Sequence, residues 1–289
     1  MPLNYALLGL LALLWGGSYP LIKLALDGFT PISLMAFRVT VAALILAGLA
    51  QVQGLTWPRG FRLWSQLLVQ SFFNSIGAWT LLAWGQQHVP SGLAGVLNST
   101  APIFVTVWLL SVASDRRASW RPVAGAVLGL GGVAGIMGFG ALEDLGTDLL
   151  AQGAILGGAM LYACAALYGR RFNALAPMIT AAVTMGWAAV FLVPAAFVFE
   201  APLALSPAPK ALWAALALAV ASTAGALVIY FRLIATLSPA GTASQAYLRA
   251  GVSVALGTLV LGEPLNPQLL AGVLAAIAGV MLINWPSQR

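Results

Sequence analysis

Long apolar stretches recur along the whole chain, separated by short polar connections, and this pattern constrains the fold more than any other feature. An α-helix needs about 20 mostly apolar residues to cross the hydrocarbon core of a bilayer, which is about 30 Å thick. The stretches of sufficient length are 3–26, 31–51, 64–87, 91–113, 122–138, 149–169, 177–198, 211–236, 240–261 and 267–285. The sequence therefore predicts an all-α, polytopic membrane protein with ten transmembrane helices.

The scarcity of charged residues indicates what surrounds the protein. Only 7% of the residues are charged and 61% are hydrophobic, whereas roughly a quarter of a soluble domain is charged. The net charge of +6 is not concentrated in an aromatic or glycine-rich nucleic-acid module. We therefore expect the lipid bilayer and a small-molecule substrate as partners, no nucleic acid, and a monomer or weak homodimer.

Catalytic and metal-binding chemistry has few residues to draw on. The chain has one cysteine, Cys164, and one histidine, His88, which excludes an internal disulfide and an ordinary zinc or iron–sulfur site. The apolar stretches contain no HExxH motif, paired aspartates or Ser/His arrangement. The sequence thus predicts no metal, no cofactor and no enzymatic activity. For His88, an exposed position at the end of the third stretch is favoured over proton transfer.

The distribution of charged residues over the connecting loops predicts the orientation. On one side, together with the two termini, eight arginines face a single acidic residue, Asp115. On the other side, six acidic residues face only Lys210 and the nearby Lys23. Because cytoplasmic loops carry an excess of Lys and Arg, both termini are expected to be cytoplasmic. The eight arginines are Arg59, Arg62, Arg116, Arg117, Arg121, Arg170, Arg171 and Arg289.

Two halves of the chain resemble each other at an offset of about 147 positions, with residues 1–140 as an N-terminal five-helix repeat and 147–289 as a C-terminal one. Five is an odd number of crossings, so the second half must be threaded in the opposite sense. Inverted repeats of this kind are typical of carriers that work by alternating access. The matched pairs include Trp15 with Tyr162, Pro31 with Pro177, Gly125 with Gly272 and Gly132 with Gly279.

Several short motifs resemble the drug/metabolite transporter superfamily, specifically its EamA-type ten-helix members. They are Trp15-Gly16-Gly17-Ser18-Tyr19-Pro20, Pro31 followed by Arg38, and Leu261-Gly262-Glu263-Pro264-Leu265 with Gly272 and Gly279 beyond it. The resemblance implies export or exchange of a solute across a bacterial inner membrane. Amino acids are one expected class, aromatic amino acids among them. Members of the family often have a proline in both the fourth and the ninth helix. This chain departs from that pattern, because Pro102 is present in the fourth stretch but the corresponding position in the ninth lies near Gly251.

Arg249 is the most informative residue inside an apolar stretch. It lies ten residues beyond Pro239, which places it about 15 Å along the helix and near the bilayer midplane. The guanidinium group can bind a carboxylate through two parallel hydrogen bonds, so a role in the substrate path and a purely structural role both stay open. A structural role is favoured for Arg38, whereas Lys23 and Arg232 are expected to extend toward the interface.

Polar and aromatic side chains on the faces of several helices indicate a substrate path. Thr242, Gln245 and Arg249 share one helix face. The alternative is that such side chains only form hydrogen bonds between helices. The glycines and prolines proposed as hinges are Gly16, Gly17, Pro20 and Pro102. The predicted path residues are Trp15, Ser18, Tyr19, Ser75, Trp79, Asn98, Tyr162, Gln245 and Arg249.

No acidic residue is predicted within the interior of a transmembrane helix. We therefore expect a transporter that exports small neutral or zwitterionic metabolites, amino acids foremost, by uniport and alternating access. The main alternative is proton-coupled efflux of drugs or cationic metabolites, which in small multidrug relatives uses a membrane-embedded glutamate. A pore or a receptor is a further alternative.

Overall fold

The computed structural model describes residues 2–88, 97–112, 120–137, 148–237, 239–249, 251–252 and 267–285. The regular secondary structure of these residues is entirely helical, which confirms the predicted all-α class. The helices of the first half are α1 (Pro2–Gly16), α2 (Ser18–Leu26), α3 (Pro31–Val52), α4 (Phe61–Ser71), α5 (Gly77–His88), α6 (Ala101–Val112) and α7 (Trp120–Met137).

The remaining helices lie in the second half of the chain. Its helices are α8 (Leu149–Tyr168), α9 (Pro177–Phe199), α10 (Pro209–Ala219), α11 (Ala226–Thr236), α12 (Pro239–Ala243) and α13 (Pro267–Asn284). Helical residues 245–249 and 251–252 follow α12. Short 3₁₀ segments lie at Gly169–Phe172 and Pro202–Ala204.

The predicted apolar stretches correspond closely to these helices. Among the residues that the structure describes, four helical segments are long and apolar enough to cross a bilayer: Pro31–Val52, Leu149–Phe172, Pro177–Phe199 and Pro209–Thr236. Their apolar composition and length match the thickness of the hydrocarbon core. The polytopic class is therefore confirmed. The number ten and the cytoplasmic termini remain predictions, since parts of the stretches 91–113 and 240–261 lie outside the described residues.

Two helical spans contain a π-helical segment between two α-helices. Phe72–Ile76 joins α4 to α5, and Val220–Gly225 joins α10 to α11. A π segment widens the helix by one residue per turn and leaves backbone carbonyls available to other donors. The two segments occupy corresponding places in the two halves, since Ser75 and Ser222 are separated by the repeat offset of 147 positions.

Glycines allow α7 and α13 to pack in very close contact. A Cβ atom at Gly125 would lie 2.7 Å from the Gly279 carbonyl oxygen, and one at Gly132 would lie 2.7 Å from the Gly272 carbonyl oxygen. Small residues let membrane helices approach backbone to backbone. Residue numbers in the contact increase along α7, from Gly125 to Gly132, while those of their partners decrease along α13, from Gly279 to Gly272. The two helices therefore run antiparallel.

A carboxylate from the second half caps a helix of the first half. Glu200, at the end of α9, accepts hydrogen bonds from the backbone nitrogens of Ile32 (3.1 Å) and Ser33 (2.7 Å) and from the hydroxyls of Thr30 and Ser33. Partial burial raises the pKa of Glu200, but these hydrogen bonds outweigh burial and lower the pKa below its ordinary value. The contact therefore favours the charged carboxylate, which also suits the positive end of α3.

Candidate functional site

Trp15, the penultimate residue of α1, is held against the π segment Val220–Gly225. Its indole Nε1 donates a hydrogen bond to the carbonyl oxygen of Ser222 at 3.0 Å. In return, the Ser222 hydroxyl donates to the carbonyl oxygen of Leu14 at 2.8 Å. The carbonyl that Trp15 uses belongs to the π segment, where the ordinary helical hydrogen-bond pattern is interrupted. The indole ring is thereby fixed at the end of α1, where α1 and α2 are separated by Gly17.

Tyr162, on α8, occupies the corresponding place in the second half. Trp79, three residues beyond the other π segment, donates a hydrogen bond from Nε1 to the Tyr162 hydroxyl at 2.6 Å. Trp15 of α1 is thus held by the π segment between α10 and α11 in the second half. Tyr162 of α8 is held by Trp79 of α5 in the first half. Both residues are therefore held by contacts that join the two halves of the chain.

A small cavity lies where these aromatic residues meet the helical residues after α12. Its volume is about 20 Å³, enough for about one water molecule. We call it the central cavity. The residues that line it are Trp15, Asn98, Ala101, Tyr162, Ala166, Tyr230, Ala243, Gln245, Ala246 and Arg249. Five of the predicted path residues therefore come together around one space, although they are far apart in the sequence.

Two amide side chains of the central cavity have an unpartnered oxygen. Asn98 Oδ1 and Gln245 Oε1 are buried and accept no hydrogen bond within the described part of the chain. Asn98 is 2% exposed and Gln245 is 8% exposed. Buried polar atoms nearly always have a partner, because an unmade hydrogen bond costs about 1–3 kcal/mol. Two residues that line the central cavity therefore each have an acceptor oxygen that no described group satisfies.

Arg249 brings a positive charge to the central cavity. Its side chain is only 9% exposed. Among the described residues that line the cavity there is no aspartate or glutamate. The cavity consequently combines a guanidinium donor, two amide acceptors and three aromatic rings, an arrangement that suits an amphipathic solute better than a cation.

Gly16 lets α1 approach the backbone beside Arg249. A Cβ atom at Gly16 would lie 3.0 Å from the Arg249 carbonyl oxygen and 2.8 Å from Cγ1 of Val252. Gly16 thus has a packing role at this contact. The proposed bending at Gly16, Gly17, Pro20 and Pro102 stays a prediction; the side chain of Pro20 lies outside the described residues.

Three other predicted path residues, Ser18, Ser75 and Trp79, are not among the described residues that line the central cavity. The Ser18 hydroxyl donates to the Trp15 carbonyl oxygen at 2.6 Å and so supports the end of α1. Ser75 is fully buried and accepts a hydrogen bond from Asn74 Nδ2 at 3.1 Å. Trp79 donates a hydrogen bond to the Tyr162 hydroxyl. The Tyr19 side chain lies outside the described residues. Pro102 is buried within α6.

Arg38 takes part in the support of the site, as the favoured structural role predicts. Its guanidinium carbon lies 4.1 Å from the centroid of the Trp79 ring, and Nη2 donates to the Ser222 carbonyl oxygen at 3.3 Å. A further hydrogen bond runs from Nε to the Thr223 hydroxyl. Arg38 therefore links the residue that holds Tyr162 to the carbonyl that holds Trp15.

Tyr230 is the cavity residue that sequence reasoning missed. It lies on α11, and its ring centroid is 5.4 Å from that of Trp15. Within the apolar run of α11, no charge, motif or repeat partner distinguishes this tyrosine from a residue of the lipid-facing surface. Only the packing of α11 against α1 places it in the cavity wall.

A second cavity, of about 300 Å³, lies where the segment 169–177 meets the end of α11. It is larger than the central cavity, but it contains none of the predicted path residues. Arg232 lines it and is exposed, which agrees with the predicted position of Arg232 near a helix end. Because the second cavity contains none of the predicted path residues, the central cavity is the candidate site.

The sequence profile of the EamA-like transporter family matches residues 3–138 and, a second time, residues 149–285. The chain belongs to the EamA-like transporter family. The resemblance seen in the motifs is therefore confirmed. The two matched segments together cover nearly the whole chain. The first contains the helices from α1 to α7 and the second those from α8 to α13.

Named relatives of this EamA-like protein are also transporters. A probable terminal-alkyne amino-acid exporter of Streptantibioticus cattleyicolor is 30% identical over 273 residues, which are 93% of this chain and 89% of that protein. The uncharacterised inner membrane transporter YedA of Escherichia coli K12 is 28% identical over 267 residues, which are 92% and 85% of the two chains. Together with the long apolar helices, they confirm a multi-pass protein of the inner membrane.

A solved structure has the same fold. The protein titled "Crystal structure of protein" superposes with a TM-score of 0.82 at 16% sequence identity, covering 96% of this chain and 94% of the other. At this identity the likeness concerns the fold alone. The helical arrangement around the central cavity is therefore one that a second, distantly similar sequence also adopts.

Proposed function

We propose that this EamA-like transporter exports small neutral or zwitterionic metabolites, amino acids foremost, through the central cavity. The observation that carries the proposal is the meeting of Arg249 with two repeat-related pairs, Trp15 with Tyr162 and Asn98 with Gln245, around one space. A relative that is named as an amino-acid exporter supports the same substrate class.

The proposed role of Arg249 is to bind the substrate carboxylate. A buried guanidinium group forms two parallel, charge-assisted hydrogen bonds to a carboxylate, which are stronger than bonds between neutral groups. The rings of Trp15, Tyr162 and Tyr230 would contact an apolar or aromatic side chain.

The transport step that we propose is alternating access by an inverted repeat. Three observations support it: the family profile matches the chain twice, the π segments occupy corresponding places, and the repeat-related helices α7 and α13 run antiparallel. The offset of 147 positions relates Gly125 to Gly272 and Gly132 to Gly279. The contact Gly125–Gly279 therefore has the contact Gly132–Gly272 as its repeat-related equivalent. The central cavity has to widen before it accepts a solute, because an amino acid is far larger than one water molecule.

The proposed mechanism is uniport. The described lining of the central cavity has no carboxylate that could take up a proton or a drug cation, and Arg249 would repel a cation. Proton-coupled efflux of cationic compounds is therefore the less favoured alternative, and it is an outcome of the test below.

The test is efflux from proteoliposomes that contain the purified full-length protein and a radiolabelled amino acid, with L-phenylalanine and L-leucine as the first probes. We expect flux without a pH gradient. We expect Arg249→Ala to lower the flux at least tenfold, which corresponds to the loss of a charge-assisted hydrogen-bond pair of about 1.4 kcal/mol or more. The matched control is Arg232→Ala, whose exposed side chain lies outside the central cavity, and it should transport normally.

Each result has one meaning, provided that size-exclusion chromatography shows both variants folded. Equal flux by wild type and Arg249→Ala would contradict the role of Arg249. Strict dependence on a pH gradient would contradict uniport, and transport of cationic dyes in place of amino acids would support the drug-efflux alternative.

A further inference from the structure

Few buried polar atoms in the described part of the chain lack a partner, and two of them belong to residues that line the central cavity. Within the described residues they are Thr40 Oγ1, Gln70 Oε1, Asn74 Oδ1, Asn98 Oδ1 and Gln245 Oε1. Of these five residues, Asn98 and Gln245 line the central cavity, and none is among the described residues that line the second cavity. Both are more than nine-tenths buried. Their oxygens are therefore acceptors that the protein's own described groups leave to a ligand.

We infer that Asn98 and Gln245 form a subsite for the α-ammonium group of the substrate, an inference that rests on the proposed function. An amide oxygen accepts hydrogen bonds and cannot donate them, whereas an ammonium group carries three donors and no acceptor. A carboxylate has only acceptors and cannot satisfy these oxygens. The subsite therefore selects amines, and it does so without a negatively charged residue.

The spacing of Gln245 and Arg249 matches the two charged groups of an α-amino acid. The residues are four positions apart in helical backbone, so their Cβ atoms lie on one face at a separation of about 5–6 Å. An acceptor and a cation side by side complement an ammonium and a carboxylate attached to the same carbon. Asn98 supplies the second acceptor from the other half of the chain, at the repeat-related position.

This arrangement predicts strong discrimination against compounds that lack the amine. A site that hydrogen-bonds a substrate N–H group rejects the analogue without it, because buried polar groups are then left unpaired. We expect the wild-type protein to bind L-phenylalanine at least tenfold more tightly than 3-phenylpropionate. The same ratio is expected for L-leucine over 4-methylpentanoate.

The experiment measures binding by the shift in thermal unfolding of the full-length protein in detergent. The probes are L-phenylalanine, 3-phenylpropionate, L-leucine and 4-methylpentanoate. We expect Gln245→Met and Asn98→Leu, which keep the size of the side chain, to weaken amino-acid binding about ten- to hundredfold while they leave binding of the two acids unchanged. Gln245→Glu keeps the acceptor oxygen and replaces the amide NH2 group by a second acceptor oxygen, and it should retain amino-acid binding.

The matched control is Gln70→Met, which removes a buried, unpartnered amide oxygen that lies outside the cavity. It should preserve the preference for amino acids over acids. If Gln245→Met and Asn98→Leu both keep that preference, the subsite is refuted, and the amides serve only to pack or to hold water. If either variant fails to fold, the other variant and Gln245→Glu still test the subsite. Each variant is judged by the ratio of its affinity for the amino acid to its affinity for the corresponding acid.

The proposed function and the subsite fail in different ways. Absence of binding by both L-phenylalanine and L-leucine to the wild-type protein would contradict amino-acid transport itself. Equal binding of each amino acid and its des-amino acid would overturn the ammonium subsite alone, since Arg249 would then account for recognition of the shared carboxylate.

Discussion

At the scale of single residues, Gly16 determines how closely α1 approaches the backbone that carries Arg249. A side chain here would meet backbone as well as Val252, and backbone cannot move aside as a flexible side chain can. Gly16 is also the last residue of α1. The end of α1 therefore lies against the backbone that carries Arg249 because no side chain stands at this position.

We expect Gly16→Ala to destabilise the protein by roughly 1–3 kcal/mol, as overpacking usually does, and to reduce amino-acid flux. Thermal unfolding in detergent and proteoliposome efflux are the measurements. Gly9→Ala, in the same helix, is the control because a Cβ atom there meets nothing within 4 Å. Equal stability of the two variants would contradict the close approach.

At the scale of elements, the pairing of α7 with α13 depends on backbone contact along most of both helices. At Gly132, a Cβ atom would lie 2.5 Å from the backbone nitrogen of Ala276. Gly129 faces the ring of Tyr247, which in turn donates a hydrogen bond to the Ala126 carbonyl oxygen at 3.0 Å. The helix pair therefore also supports the segment that carries Gln245 and Arg249.

Gly132→Ala should separate α7 from α13 and lower the free energy of unfolding by roughly 1–3 kcal/mol. The neighbouring Gly131→Ala should have almost no effect, because nothing lies within 4 Å of a Cβ atom at that position. Thermal unfolding of both variants, prepared in parallel, makes the comparison. A stable Gly132→Ala variant would show that the two helices can separate at little cost.

The helices could be predicted from the sequence because hydropathy, length and initial prolines all act locally. The two π segments could not, because no residue type marks them. They depend on partners in other helices, such as Trp15 at the Ser222 carbonyl oxygen. Likewise, Arg249, Gln245 and Asn98 stood out as polar residues in apolar stretches, whereas Tyr230 became part of the site only through packing that no local pattern encodes.

At the scale of the whole molecule, Glu200 ties the two halves together at the end where α3 begins and α9 ends. The folded protein lowers the pKa of Glu200, so the contact adds stability above the ordinary carboxyl value near 4.5. That stability is lost as the pH falls through the lower pKa of the folded state, because protonation removes the charge that the hydrogen bonds favour.

Glu200→Gln should therefore be less stable than wild type at pH 7 and approach it as the pH falls below 4.5. Unfolding by denaturant at a series of pH values in detergent gives the difference. Glu200→Asp is a useful second variant, since it keeps the charge but shortens the reach to Thr30 and Ser33. A difference between wild type and Glu200→Gln that does not vary with pH would refute the linkage.

The reciprocal anchoring of Trp15 and Tyr162 has a consequence for biosynthesis. Each ring depends on a helix that the other half provides, and the guanidinium group arrives only with residue 249 of 289. The lining of the central cavity therefore cannot be complete in a partial chain that leaves the ribosome before residue 249 has been synthesised, because Trp15 is held by Ser222 and Arg249 belongs to that lining.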